Sequence, residues 1–369
     1  MKKCFSLMSL LILLVIPLSL HSAQTKVVKD AAGREVTLPA TVERVICSGP
    51  GSLRLLTYLQ AHDRIVAVDD IEKRETKFDA RPYALANPQF KTYPMFGEFR
   101  GHDNPELIMT LQPQPQVILK TYGTMGHDAV ELQKKTGIPV VILEYGNLGK
   151  ARGSFYQALR IMGRVVGKEK RAEEVIAYFD SHISDLKKRV QNVPESQRKT
   201  CFIGGIAFKG PHGFQSTEPG YPPFTFVNAK NMAYAPTMQG KVLQQSNVAK
   251  EKIVEWDPDI LFLDLSTLQM GDSAGGLYEL KTDPAYQALT AVQKGEVYGV
   301  LPYNWYTRNY GSILADAYFV GKFLYPDRFH DIDPVAQADK IYTFLVGKPV
   351  FDLMSGAFDG LGFKRIPLK

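Results

Sequence analysis

One phrase occurs twice in this chain, 145 residues apart from Glu106 to Glu251, and it limits the available folds more than any single residue does. Glu106-Leu-Ile-Met-Thr-Leu-Gln-Pro113 runs into the apolar stretch Val117-Ile-Leu119. Glu251-Lys-Ile-Val-Glu-Trp-Asp-Pro258 runs into Ile260-Leu-Phe-Leu263. In both an acid leads, Ile108 or Ile253 follows two on, Leu111 or Trp256 five on, and proline seven on. Each copy reads as a short helix halted before proline, because the residue preceding proline is driven out of the helical region, and then as a buried strand. The repetition predicts two similar α/β lobes with a cleft between them.

The rest of the chain keeps this alternation. Val27 to Val45 alternates around Gly33 and predicts a β-hairpin leading into a strand. Val45-Ile-Cys47 then enters the loop Ser48-Gly-Pro-Gly-Ser52, followed by a helix from Leu53 to Leu59. Short apolar runs at 65–68, 117–119, 140–143, 201–203, 260–263 and 297–300, separated by helical stretches, predict mostly parallel sheets covered by helices. From Lys168 to Val190 a long amphipathic helix sets Ile176, Phe179, Ile183, Leu186 and Val190 on one face. The expected fold is α/β: two similar lobes, each a mostly parallel sheet flanked by helices, at 24–166 and 193–369. One long interdomain helix at 167–192 joins them. Phe208 to Pro236 reads as a long loop, and the tail from Ile341 matches no clear element.

Residues 1–23 read as a cleavable signal peptide: Lys2 and Lys3, an apolar run from Phe5 to Leu20, then small residues at Ser22 and Ala23. The run is short for a span of roughly 20 apolar residues. Without Lys2 and Lys3, the 44 basic side chains fall to 42 against 38 acidic ones. So mild an excess, with no dense basic tract, argues against a nucleic-acid partner. Cys47 and Cys201 each lie in the first apolar strand of a half, too far apart in a two-lobed fold to bridge, and are expected as buried free thiols.

An export signal, the Asp30-Ala-Ala-Gly-Arg34 hairpin, the helix–proline–strand phrase in each half and the long helix between them resemble a known family. It comprises the periplasmic substrate-binding proteins of ABC importers for iron–siderophore complexes, haem and corrinoids, with molybdate binders of the same fold. The chain departs from the family pattern at Pro113-Gln-Pro115-Gln116, two residues longer than the usual step. The resemblance implies a rigid interdomain helix, small closure on ligand, no cofactor and no catalysis. It implies a periplasmic monomer that delivers its cargo to an inner-membrane permease dimer with its ATPase. Carried over by position, Glu106 and Glu251 are the permease-docking acids; as lone residues they also suit a helix N-terminus through its dipole.

In doubly wound sheets ligands gather at the carboxyl ends of the strands. The loops there offer Arg54, Arg100, Tyr122 and Tyr145 in the first half, and Lys209, Tyr303, Trp305, Tyr306 and Arg308 in the second. Four aromatics among Tyr303 to Tyr310, with a guanidinium, suit a ligand with flat or apolar parts and negative charge. The expected cargo is a ferric siderophore or another iron chelate; molybdate or tungstate, haem and corrinoid stay open. Direct metal ligands are left unassigned. The rival from another class is an exported metal-dependent hydrolase built on the matching tripeptides Gly101-His102-Asp103 and Gly126-His127-Asp128. The chain carries no GxxxxGK[ST] motif.

Overall fold

The computed structural model describes residues 24–235 and 245–368, and the signal peptide expected at 1–23 lies outside them. A hairpin of β1 (Thr25–Lys29) and β2 (Glu35–Pro39) opens the described chain. Six strands then form one sheet: β3 (Val45–Ser48), β4 (Ile65–Asp69), β5 (Met95–Glu98), β6 (His102–Asp103), β7 (Val117–Thr121) and β8 (Val140–Leu143). Their order is β6-β5-β4-β3-β7-β8, parallel throughout except for the edge strand β6. In the second half, β9 (Thr200–Gly204) is followed by a two-residue pairing of β10 (Ser216–Thr217) with β12 (Ser246–Asn247). A parallel four-stranded sheet in the order β11-β9-β13-β14 is completed by β11 (Lys230–Asn231), β13 (Ile260–Asp264) and β14 (Val297–Val300).

Both copies of the repeated phrase fold alike. The Pro105–Thr110 helix leads to β7 and the Lys250–Trp256 helix leads to β13. Ile108 and Ile253, at matching positions, are fully buried. The segment expected as a long loop from Phe208 is partly regular: it holds β10, a Pro222–Phe226 helix and β11.

Glu169–Val190 forms the long helix, 22 residues and so roughly 33 Å. Ile176, Phe179, Ile183, Leu186 and Val190 are all buried. Phe179 meets Phe155 of the first half at 5.2 Å and Tyr310 of the second at 6.2 Å, so one side chain belongs to both cores. The unplaced tail is helical at Pro334–Val346 and Phe351–Ala357. These helices cross back to pack on the first half's Ser52–Tyr58 and Pro82–Ala86 helices. Arg171 on the long helix fastens the crossing, donating to the Tyr58 carbonyl at 3.0 Å and to the Phe344 carbonyl. Cys47 and Cys201 are buried and free. No helix among the described residues is long and apolar enough to cross a membrane.

Candidate ligand-binding cleft

The loops at the carboxyl ends of the two sheets enclose a cavity of about 370 Å³. From the first half come Pro50 after β3, Ile71 after β4, Phe99 and Arg100 after β5, and Tyr122 and Met125 after β7. From the second come Ala207, Lys209 and Gly210 after β9, and Asn304, Tyr306 and Thr307 after β14. The lining holds two cations, one from each half, and no Asp or Glu.

The backbone around the cavity is strained. Arg100, Tyr122, Lys209, Tyr306 and Thr307 all take left-handed φ values, between 47° and 63°. For a β-branched residue such as Thr307 this is a rare conformation, held only where its surroundings dictate it. Hydrogen bonds and close packing supply those surroundings. The Tyr306 hydroxyl donates to Asp69 Oδ2 at 2.6 Å and accepts the Arg100 backbone N–H at 3.2 Å. Tyr122 and Thr307 hydroxyls meet across the cleft at 3.1 Å. Gly51, at φ 82°, lets the halves close up, because a Cβ there would strike the Tyr145 ring and Thr307.

Of the expected ligand residues, Arg100, Tyr122, Lys209 and Tyr306 line this cavity and the other five do not. Arg54 is buried with 1% of its surface exposed. Its Nη1 donates to Tyr145 Oη at 2.6 Å and the Arg308 carbonyl at 3.0 Å; its Nη2 donates to the Trp305 and Tyr306 carbonyls at 3.1 and 3.2 Å. It is a clamp between the halves. Tyr145 is equally buried, donates to the Arg308 carbonyl at 2.6 Å and stacks on Tyr310 at 5.0 Å, which leaves no face for a ligand. Tyr303 is buried with its hydroxyl donating to Glu218. Trp305 packs edge-on against Phe358 at 5.7 Å. Arg308 enters the junction through its carbonyl. The aromatic run is therefore divided: Asn304, Tyr306 and Thr307 line the cleft, and the remainder fastens the loop.

Burial pushes the Glu218 carboxyl up to about 7. A folded value above the unfolded one means that stability is fully present below about 4.5 and is lost as pH rises to about 7. Glu218→Gln is expected to remove that slope and, above pH 7, to recover on the order of 2 kcal/mol. Thermal unfolding of both proteins from pH 4 to 8 checks this, and parallel curves would contradict it.

The two aspartates of the hydrolase tripeptides are occupied elsewhere. Asp103 is fully buried, ion-paired to Lys120 Nζ at 2.7 Å and accepting from Ser48 Oγ at 2.8 Å. Asp128 caps the Ala129–Thr136 helix through the Val130 and Glu131 amides. Among the described residues no group of three or more His, Cys, Asp or Glu could hold a metal ion. Glu106 and Glu251 are exposed in the first turns of their helices, at corresponding positions in the two halves. The sequence points to the loops at 98–102 and 303–308 without singling out Phe99, Asn304 or Thr307, and it gives no sign of the Asp69 carboxylate behind Tyr306. For Phe99 a signal existed: Phe99-Arg100-Gly101 recurs as Phe208-Lys209-Gly210.

Two parallel-sheet lobes facing each other across a lined cleft, braced by one long helix, define a two-lobed binding protein. The family model described as periplasmic binding protein matches residues 45–303, and the chain belongs to that family: it is the substrate-binding component of an ABC importer and not an enzyme. It is 21% identical over 82% of its length to the uncharacterized ABC transporter substrate-binding lipoprotein YvrC of Bacillus subtilis, covering 87% of that protein. It is 22% identical over 86% of its length to the molybdate-binding protein MolA of Haemophilus influenzae, covering 89%. The fold matches a periplasmic solute-binding protein from Veillonella parvula with a TM-score of 0.68, at 18% identity over 91% of this chain and 97% of that one. It matches molybdate-bound MolA with a TM-score of 0.64, at 19% identity over 88% and 98%.

Proposed function

We propose that the cleft captures a metal chelate, iron in chelated form foremost, and that Glu106 and Glu251 present the loaded protein to the permease. The lining carries the reading: Arg100 and Lys209 with Phe99, Tyr122 and Tyr306, and no carboxylate. Such a wall suits a ligand whose own donor atoms already surround the metal, and aromatic faces suit its organic parts. A cavity of about 370 Å³ lies in the range of small-molecule sites and is generous for a bare tetrahedral oxyanion. Calorimetric titration with ferric citrate, ferric tris-catecholate, ferric tris-hydroxamate, haem, cobalamin and molybdate tests it. Saturable binding of a ferric chelate is the expected result. Molybdate binding alone would install the second reading, an oxyanion receptor, which the likeness to MolA favours.

Docking has its own test. Both glutamates sit outside the cleft lining, so Glu106→Lys with Glu251→Lys should leave the ligand Kd within about twofold of wild type while transport through the permease is abolished. Weakened ligand binding in that double variant would remove the docking assignment.

A further inference from the structure

Phe99-Arg100-Gly101 and Phe208-Lys209-Gly210 are one tripeptide with the cation exchanged. In each, the cation takes a left-handed φ, 63° at Arg100 and 57° at Lys209. In each, the cationic group sits over the ring of the preceding phenylalanine, 5.0 and 5.6 Å from its centre. One turn follows β5 of the six-stranded sheet and the other follows β9 of the four-stranded sheet, so they reach the same cavity from opposite lobes. Both cations are exposed, and neither takes part in the ion pairs among the described residues.

Each turn is locked by its own contacts. The Arg100 amide donates to the Tyr306 hydroxyl at 3.2 Å, while the Phe208 amide donates to the Gly210 carbonyl at 3.0 Å and the His212 ring lies 2.8 Å from the Phe208 carbonyl. A non-glycine residue keeps a left-handed conformation only where its surroundings over-determine it, and such strain clusters at ligand clamps. A cation resting on an aromatic face has already lost part of the freedom that binding would take from it.

We infer that Arg100 and Lys209 are a matched pair of anion clamps, one per lobe, and that the ligand is a polyanionic chelate carrying negative charge on two opposite sides. The inference rests on reading the cleft as a chelate site and narrows that reading to a charge class. A neutral chelate would strip water from both cations without compensation. A ligand charged on two sides neutralises both and draws the lobes together.

The experiment compares a ferric tris-catecholate, which is a trianion, with a ferric tris-hydroxamate, which is neutral, on wild type, Arg100→Gln and Lys209→Gln. Both substitutions are at exposed positions, so thermal unfolding of the unliganded proteins should match wild type and serves as the folding control. The trianion is expected to bind tighter, and each substitution to weaken it by about tenfold, the scale of one charge-assisted contact. Any residual affinity for the neutral chelate should be unaffected. One substitution without effect, or a neutral chelate bound as tightly as the trianion, overturns the clamp pair and leaves the chelate reading standing. If molybdate alone binds, or nothing does, the chelate reading fails and takes this inference with it.

Discussion

An Arg54→Met protein is expected to lose about 3–5 kcal/mol of stability, the range for stripping one partner from a buried charged network. Arg54 serves four acceptors: Tyr145 Oη and the carbonyls of Trp305, Tyr306 and Arg308. Methionine fills much of the volume and donates nothing, so the three carbonyls stay buried without this donor, each at a cost of roughly 1–3 kcal/mol where no water reaches it. Lysine is no rescue, because a single ammonium on a flexible stem cannot reproduce the planar fork that spans both sides. Urea unfolding measures the loss. A value under about 1 kcal/mol would mean that the junction rehydrates cheaply. Tyr122→Phe is the comparison at the open side of the same junction, where one half-buried hydroxyl contact is removed and about 1 kcal/mol or less is expected.

Asp103→Ala should be as damaging, for a different reason. Lys120 is completely buried, and its ammonium is held by Asp103 Oδ2 at 2.7 Å, Ser48 Oγ at 3.0 Å and the Gly101 carbonyl at 3.3 Å. Removing the carboxylate leaves a cation in the interior, at about 3–5 kcal/mol. Taking both charges away together, as Asp103→Leu with Lys120→Met, should return most of that loss, because desolvation opposes the attraction of such a pair. The thermodynamic cycle over Asp103→Leu, Lys120→Met and the double variant reads the coupling directly. A double variant as unstable as Asp103→Ala would place the cost in packing around the Gly101 turn rather than in charge.

Elements with their own periodicity could be read from the sequence. The Glu169–Val190 helix and the two helix–proline–strand units announce themselves through spacing, and their buried faces are those the spacing picks out. β5 and β6 escaped notice because four and two residues are too short to show alternation. The tail escaped because its partners, the Ser52–Tyr58 and Pro82–Ala86 helices, lie far away in the chain. Within the site the difficulty is chemical. Arg54, in the helix after β3, and Arg100, in the loop after β5, are the same residue type, yet one is buried among carbonyls and the other lines the cavity. Tyr145 and Tyr122 divide in the same way. Residue type and loop position cannot separate a side chain that grips the opposite lobe from one that grips cargo, because both tasks call for long polar side chains at the strand ends.

The crossing of the tail onto the first half bears on the order in which the molecule can be completed. A chain emerging from its N-terminus makes the Ser52–Tyr58 and Pro82–Ala86 helices early, while the surface that covers them begins only at Pro334. Domains made first usually fold first, but here the earlier half keeps apolar surface uncovered until nearly the whole chain has appeared. With that wiring the first half receives its last cover only when the chain is nearly finished.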